Sequence, residues 1–242
     1  LSEVVRLWVY LSASPLLWLT ATLGAYVIGD LISARLGRPA WAHPIIISVI
    51  LLIALLAATG TSYDTYFQGA QFVHFLLGPA TVALAVPLLQ QLPQVKRMMG
   101  PLLVALLAGS TTAIVSAVGI AWALGASPMT LASIAPKSAT TPIAMAVAQG
   151  VGGLPALTAT FVVLTGIIGA VGMAPWFRLI GVRAAAARGI AAGVACHGIG
   201  TAQAFQISPL AGAFAGLGLA LNGVATSLLV PALLPLLARL WR

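Results

Sequence analysis

The feature that most restricts this chain is a series of long apolar runs with few or no charges, over residues 16–31, 45–59, 72–92, 101–124, 154–177 and 210–237. About 20 apolar residues, with a range of roughly 17–25, cross the hydrocarbon core of a bilayer as a helix. Six spans are therefore expected, joined by short loops. Only 6% of the 242 residues are charged and 61% are hydrophobic. A soluble domain carries about 25% charged residues, so the polar surface that would cover a water-soluble globule is missing. The expected fold is an all-α polytopic membrane protein, a single membrane domain over residues 1–242.

The formal net charge of +8 would point to nucleic acid in a soluble protein. Here the basic residues sit in short inter-helix loops, where the positive-inside rule explains them, and no nucleic-acid partner is expected. The single Cys196 rules out an internal disulfide and makes no metal pattern with the three scattered histidines. The residues near Leu1 lack the plan of a cleaved signal peptide.

Two stretches do not read as plain spans. Residues 127–150 are interrupted by Pro136-Lys-Ser-Ala-Thr-Thr-Pro142, and residues 184–208 by His197-Gly-Ile-Gly-Thr201. Each flanking arm is roughly 8–13 residues, about 12–20 Å of helix, or half a membrane. Each stretch either crosses as a broken helix or enters and returns as a re-entrant hairpin. Charge placement favours hairpins. With hairpins, Arg35, Arg38, Lys96, Arg97, Arg178, Arg183 and Arg188 share one side, and only Arg6, Arg239 and Arg242 face the other. Two full crossings would leave the tally at four against six. The positive-inside rule then puts both termini outside the cytoplasm. The chain divides into a four-helix part (1–124), a first hairpin with its span (125–180) and a second hairpin with its span (181–242).

The broken stretches also resemble copies. Sixty residues separate Ala135 from Ala195, Lys137 from His197 and Thr141 from Thr201, and a long apolar helix follows each. One crossing between them makes the second enter from the opposite face. Such inverted repeats bring two tips together near the midplane in many secondary transporters.

Lys137 is the most informative single residue. A lysine central in a membrane helix costs about 2.5–3.5 kcal/mol on insertion scales. The plainer account is a loop lysine that snorkels to headgroups. Against that, the polar cluster Lys137, Ser138, Thr140 and Thr141 has apolar arms on both sides, and a cation beside free backbone N–H groups and hydroxyls describes an anion site. His197 holds the matching place in the second copy, as a packed core histidine or as a proton carrier and substrate donor. Gly198 and Gly200 allow close backbone approach, and Thr201 and Gln203 add neutral polar contacts. Tyr63 and Asp64 form either an interfacial aromatic segment or a substrate gate. The pairs Gly189/Gly193 and Gly212/Gly216 have the spacing of close helix packing. With three acidic residues and no catalytic motif, the chain is not expected to be an enzyme.

The segments TSYDTYFQG (61–69), PATVALAVP (79–87), PKSATTPIAM (136–145) and HGIGTA (197–202) resemble the LrgB/CidB family, in the same order from about residue 39 onward. The resemblance implies a bacterial inner-membrane protein typically encoded with a smaller membrane partner of the LrgA/CidA type, and a homo-oligomer is expected. Members are described as holin- or antiholin-like modulators of murein hydrolase activity and autolysis. Others resemble carriers of small carboxylates such as pyruvate, glycolate or glycerate. His43 stands where the family usually has Asn, and Gln203 and Gln206 where it usually has Arg and Glu. Losing that arginine leaves Lys137 as the main positive charge. The residues and the resemblance together lead to an expected carrier of a small organic carboxylate. Its substrate would bind at Lys137, Ser138, Thr140, Thr141, His197, Gly198, Gly200, Thr201 and Gln203. No cofactor is expected beyond a coupling ion, H+ or Na+.

Overall fold

The computed structural model describes residues 14–39, 42–76, 79, 82–83 and 85–240. Among them the regular structure is helical, without strands. In chain order the helices are α1 (Pro15–Arg35), α2 (Pro44–Thr59), α3 (Tyr63–Phe75), α4 (Ala85–Gln90), α5 (Leu92–Arg97), α6 (Met99–Ala123), α7 (Pro128–Ile134), α8 (Thr141–Gly150), α9 (Pro155–Leu179), α10 (Ala185–Ile207) and α11 (Pro209–Leu240). Among the described residues, four segments are long and apolar enough to cross a membrane: α1, α6, α9 and residues Pro209–Leu237 of α11. The expected span over 45–59 is the shorter apolar helix α2. The span expected over 72–92 falls partly on residues outside those described, as do Arg6 and Arg242.

The chain forms two compact units, Leu1–Ala83 and Leu84–Arg242. In the first, α1 packs against α2 and α3 through glycines. A Cβ at Gly29 would lie 2.6 Å from the Pro44 carbonyl oxygen, and one at Gly69 would lie 2.7 Å from Cβ of Trp18. Pro44 begins α2, with His43 as its N-cap accepting from Ile45 N at 3.3 Å. Arg38 pairs with Asp30 of α1 at 2.7 Å. This bond and the carboxylate's charge raise the Arg38 pKa further above its ordinary value. Tyr63 is exposed and stacks on Phe67, and Tyr66 meets the Thr22 hydroxyl at 3.1 Å.

In the second unit, side-chain register fixes the direction of every long element. Leu102 clusters with Phe214, Leu106 with Ala225, and Ile114 and Val118 with Val230, so α6 and α11 run parallel. Helix α8 runs the same way, with Ile143 against Gly223 and with Val147 and Val151 beside Val230 and Leu237. The first arm of α10 is parallel to α11 as well: Gly189 rests on the Ala211 carbonyl and Gly193 on that of Ala215. Gly212 nevertheless abuts the ring of Phe205, across the short turn into α11. Gly200 also lies against the Ala192 carbonyl, which a straight helix would place about 12 Å away. Helix α10 therefore folds back on itself. The fold-back is at His197, whose φ of 43° and ψ of −132° match the first central position of a type II′ turn, normally held by glycine.

The first stretch is a hairpin too. Its arms are α7 and α8, and both ends meet the start of α9: Leu154 N donates to Ser133 Oγ at 2.8 Å, and Thr158 Oγ1 donates to the Ser133 carbonyl at 3.0 Å. Its first arm, seven residues long, is shorter than the 8–13 anticipated, because Pro136 cannot donate to the turn behind it. The second arm of α10 restarts directly after His197. Helix α9 crosses once between the hairpins, so they enter from opposite ends. Lys96 and Arg97, just before α6, share one end with Arg178, Arg183 and Arg188, while Arg239 near the end of α11 lies at the other.

Small residues let these arms touch. A Cβ at Gly193 would strike the Ala215 carbonyl, whereas one at Gly198 meets nothing within 4 Å. Gly200 therefore serves close backbone packing, and Gly198 faces open space. Gly193→Val should cost about 1–3 kcal/mol by overpacking, while Gly198→Ala should be near neutral. Thermal unfolding of the two purified variants in detergent checks the contrast; equal loss in both would contradict this packing.

Candidate functional site

The two fold-backs put unpaired backbone inside the second unit. Polar backbone at membrane depth is tolerated only where protein or water satisfies it, and one side chain does so for both hairpins. Nδ2 of Asn222 donates to the Ser138 carbonyl at 2.9 Å and to the Val194 carbonyl at 3.1 Å. Its Oδ1 accepts from Ser110 Oγ at 2.6 Å and from Thr226 Oγ1 at 3.4 Å. All capacity of the amide is used, and Asn222 and Ser110 are each 1% exposed. Ser110 is 11 residues from Met99 and Asn222 is 13 from Pro209, about 16–20 Å along their helices. The hub lies near mid-span.

Lys137 stands at the first tip, half-buried, with Nζ donating to Ser138 Oγ at 3.3 Å. It is within electrostatic range of Cys196 and His197 at the second tip. The acidic residues are Glu3, Asp30 and Asp64, all in the first unit, so the unit that holds Lys137 contains no carboxylate side chain. Thr140 is the N-cap of α8 without a side-chain capping bond, and Thr141 opens that helix. Ser138 therefore brings a hydroxyl to the lysine, and Thr140 and Thr141 follow at the N-terminus of α8 on the same tip.

The second tip is organised around the His197 ring. Nε2 donates to the Val162 carbonyl at 2.9 Å, since a carbonyl can only accept. The ring nests where α9 has no side chain: a Cβ at Gly166 would lie 2.7 Å from His197 Cε1. A non-glycine residue held in such a conformation stores on the order of 1–3 kcal/mol, and this pinned ring helps to hold it. Thr201 Oγ1 donates to the His197 carbonyl at 2.9 Å, so its hydroxyl is engaged within the turn. Gln203 is half-buried on the returning arm, and Gly198 is exposed. Val162 joins Ala139 and Ala144 in one cluster, which ties the histidine's acceptor to the first hairpin. Tyr63 and Asp64, the gate candidates, belong to α3 of the first unit.

Sequence reasoning missed Asn222, Ser110 and Val162. The available signal was an asparagine alone in the apolar run 210–237. Asn222→Leu should remove the shared bond and strand two buried carbonyls. Membrane hydrogen bonds average only about 0.6 kcal/mol, but a buried group left unsatisfied costs about 1–3 kcal/mol. A loss of about 2–4 kcal/mol is expected in unfolding of the purified protein, and a loss under about 0.5 kcal/mol would show that the amide is not what joins the hairpins.

Comparison with known proteins agrees over most of the chain. The LrgB-like family matches residues 22–236. The protein YwbG of Bacillus subtilis (strain 168) is 34% identical over 80% of this chain and 86% of its own length. The holin-like protein CidB of Staphylococcus epidermidis (strain ATCC 12228 / FDA PCI 1200) is 30% identical over 93% of this chain and 97% of its own. The antiholin-like protein LrgB of Bacillus mycoides (strain KBAB4) is 28% identical over 92% and 96%. No solved structure matches. With opposed helical hairpins, membrane-length apolar helices and a family match that covers both tips, the chain is a membrane protein that belongs to the LrgB-like family.

Proposed function

We propose that this protein is a secondary transporter of a small organic carboxylate, bound between the two hairpin tips. The observation that carries the proposal is Lys137: a cation near mid-depth in a unit whose sequence supplies no acidic side chain. An unpaired buried charge is expensive, so an anion that arrives and leaves is its natural partner. The N-terminus of α8 adds positive potential at the same tip. Hairpins entering from opposite ends fit alternating access, in which one repeat moves against the other around a fixed site. The second reading is a holin- or antiholin-like protein that alters envelope permeability by oligomerising, after the names that its relatives carry.

Uptake of labelled pyruvate, glycolate or lactate into proteoliposomes separates the two, with and without a small partner of the LrgA/CidA type. Saturable, competable uptake is expected; graded leakage of unrelated solutes would favour the second reading. Lys137→Met should cut the uptake rate by about 10–100-fold, since hydrogen bonds to charged groups contribute about 1.5–3 kcal/mol. Its unfolding should be unchanged or improved. Unaltered uptake in that variant would remove Lys137 from the site.

The shared side of Lys96, Arg97, Arg178, Arg183 and Arg188 supports a cytoplasmic placement for that end. A cysteine at Arg183 in a Cys196→Ala background should react with an impermeant thiol reagent from the cytoplasmic side alone. Labelling from outside would reverse the orientation.

A further inference from the structure

A groove of about 440 Å³ lies between α9 and the first arm of α10. Gly169 and Cys196 form its deep end, and it passes Gly172 and Phe177 to reach Ile180 near the end of α9. Gly169 and Ile180 are 11 residues apart, about 16 Å along the helix. One leaflet of a bilayer is about 15 Å of hydrocarbon, half of roughly 30 Å. The groove is thus as deep as a leaflet. Trp176 on its wall is 59% exposed, as suits a ring near the interfacial belt.

Cations gather where α9 ends. Arg178 and Arg183 are exposed and Arg188 is half-buried. No acidic residue exists in this unit to pair with them. Arg188 is also fixed relative to the groove: Nε donates to the Val182 carbonyl at 2.8 Å, and its guanidinium carbon sits 5.9 Å from the centroid of the Phe177 ring. The terminal nitrogens remain for an anion in bidentate geometry. A leaflet-deep apolar slot with Arg188 fixed at its mouth matches an acyl chain below a phosphate. A second copy of this chain fits less well, because a two-fold contact through this face would bring Arg188 of both copies to the same depth with no acidic residue in the unit to pair them.

We infer that this groove is a binding site for an anionic phospholipid, with an acyl chain between α9 and α10 and the phosphate held by Arg188. The chain end then reaches Cys196, the residue before the fold-back at His197. The lipid therefore packs against the hairpin whose tip carries the candidate site.

Native mass spectrometry of the purified full chain in detergent, with phosphatidylglycerol or phosphatidylcholine of matched chains, tests this inference. One phosphatidylglycerol should be retained with at least about tenfold preference. Gly172→Phe should abolish retention: a Cβ there meets nothing within 4 Å, so the ring can enter the groove without displacing backbone. Ala191→Phe blocks the opposite wall and serves as the second variant. The variant R188Q should lose the preference between the two lipids. Undiminished phosphatidylglycerol retention in both groove variants would overturn the acyl site. Equal retention of the two lipids by the wild type would overturn the headgroup site. A protein dimer that excludes lipid and is dissolved by Gly172→Phe would assign the face to a second copy instead.

Discussion

The architecture depends on one requirement of the bilayer: backbone that leaves a helix at mid-depth must find partners inside the protein. Two fold-backs create that demand, and a single amide on α11 meets much of it. Asn222 takes the Ser138 carbonyl from one hairpin and the Val194 carbonyl from the other, and Ser110 donates to its oxygen from α6. Val194 would otherwise accept from residue 198 in an unbroken helix, so the turn at His197 is what frees its carbonyl. Break and partner come as a pair. The orientation of the amide is set by the same contacts, since the reverse would point its oxygen at two carbonyl oxygens.

Small residues make the arrangement possible from the other side. Helix association in a bilayer relies on close van der Waals contact and interhelical hydrogen bonds, not on expulsion of water. Gly189 and Gly193 bring the rising arm of α10 onto the backbone of α11, and Gly200 brings the returning arm onto Ala192. Gly166 leaves a hollow in α9 for the His197 ring. With that ring pinned to Val162, the unfavourable turn is held from two directions, by packing and by a hydrogen bond.

Much of this was legible in the sequence, for specific reasons. Uncharged runs announce spans, and Pro136 and Pro142 around a lysine announce a break, because proline and charge are both costly inside a membrane helix. The offset of 60 residues pointed to paired hairpins. The partners were not legible. Asn222 looks like any tolerated polar residue until two carbonyls face it, and those carbonyls belong to residues 84 and 28 positions away. For His197 the packed role and the proton-carrying role differ only in what lies opposite the ring, and Val162 is 35 residues distant. Gly198 and Gly200 are indistinguishable as letters; only the fold shows that one faces open space and the other a neighbouring backbone. The first arm of the first hairpin was overestimated because Pro136 ends α7 early, whereas α8 has 10 residues, within the expected length.

The shared amide also limits how the proposed carrier could move. Both hydrogens of Asn222 Nδ2 are committed, one to each hairpin, so neither tip can shift by more than a few tenths of an ångström without weakening its own bond. A freed carbonyl needs another donor, and at mid-depth that donor is water or a ligand. Lys137 is adjacent to Ser138, so in the proposed carrier its ammonium, a water or a substrate hydroxyl, but not a carboxylate, could donate to the carbonyl that would be released if the first hairpin withdrew. The second hairpin has a further anchor, because withdrawing it would also part His197 from Val162. The first hairpin is likewise tied to the start of α9, through Ser133 to Leu154 and Thr158, so in the proposed carrier either hairpin would have to carry α9 with it or part its own bonds to that helix.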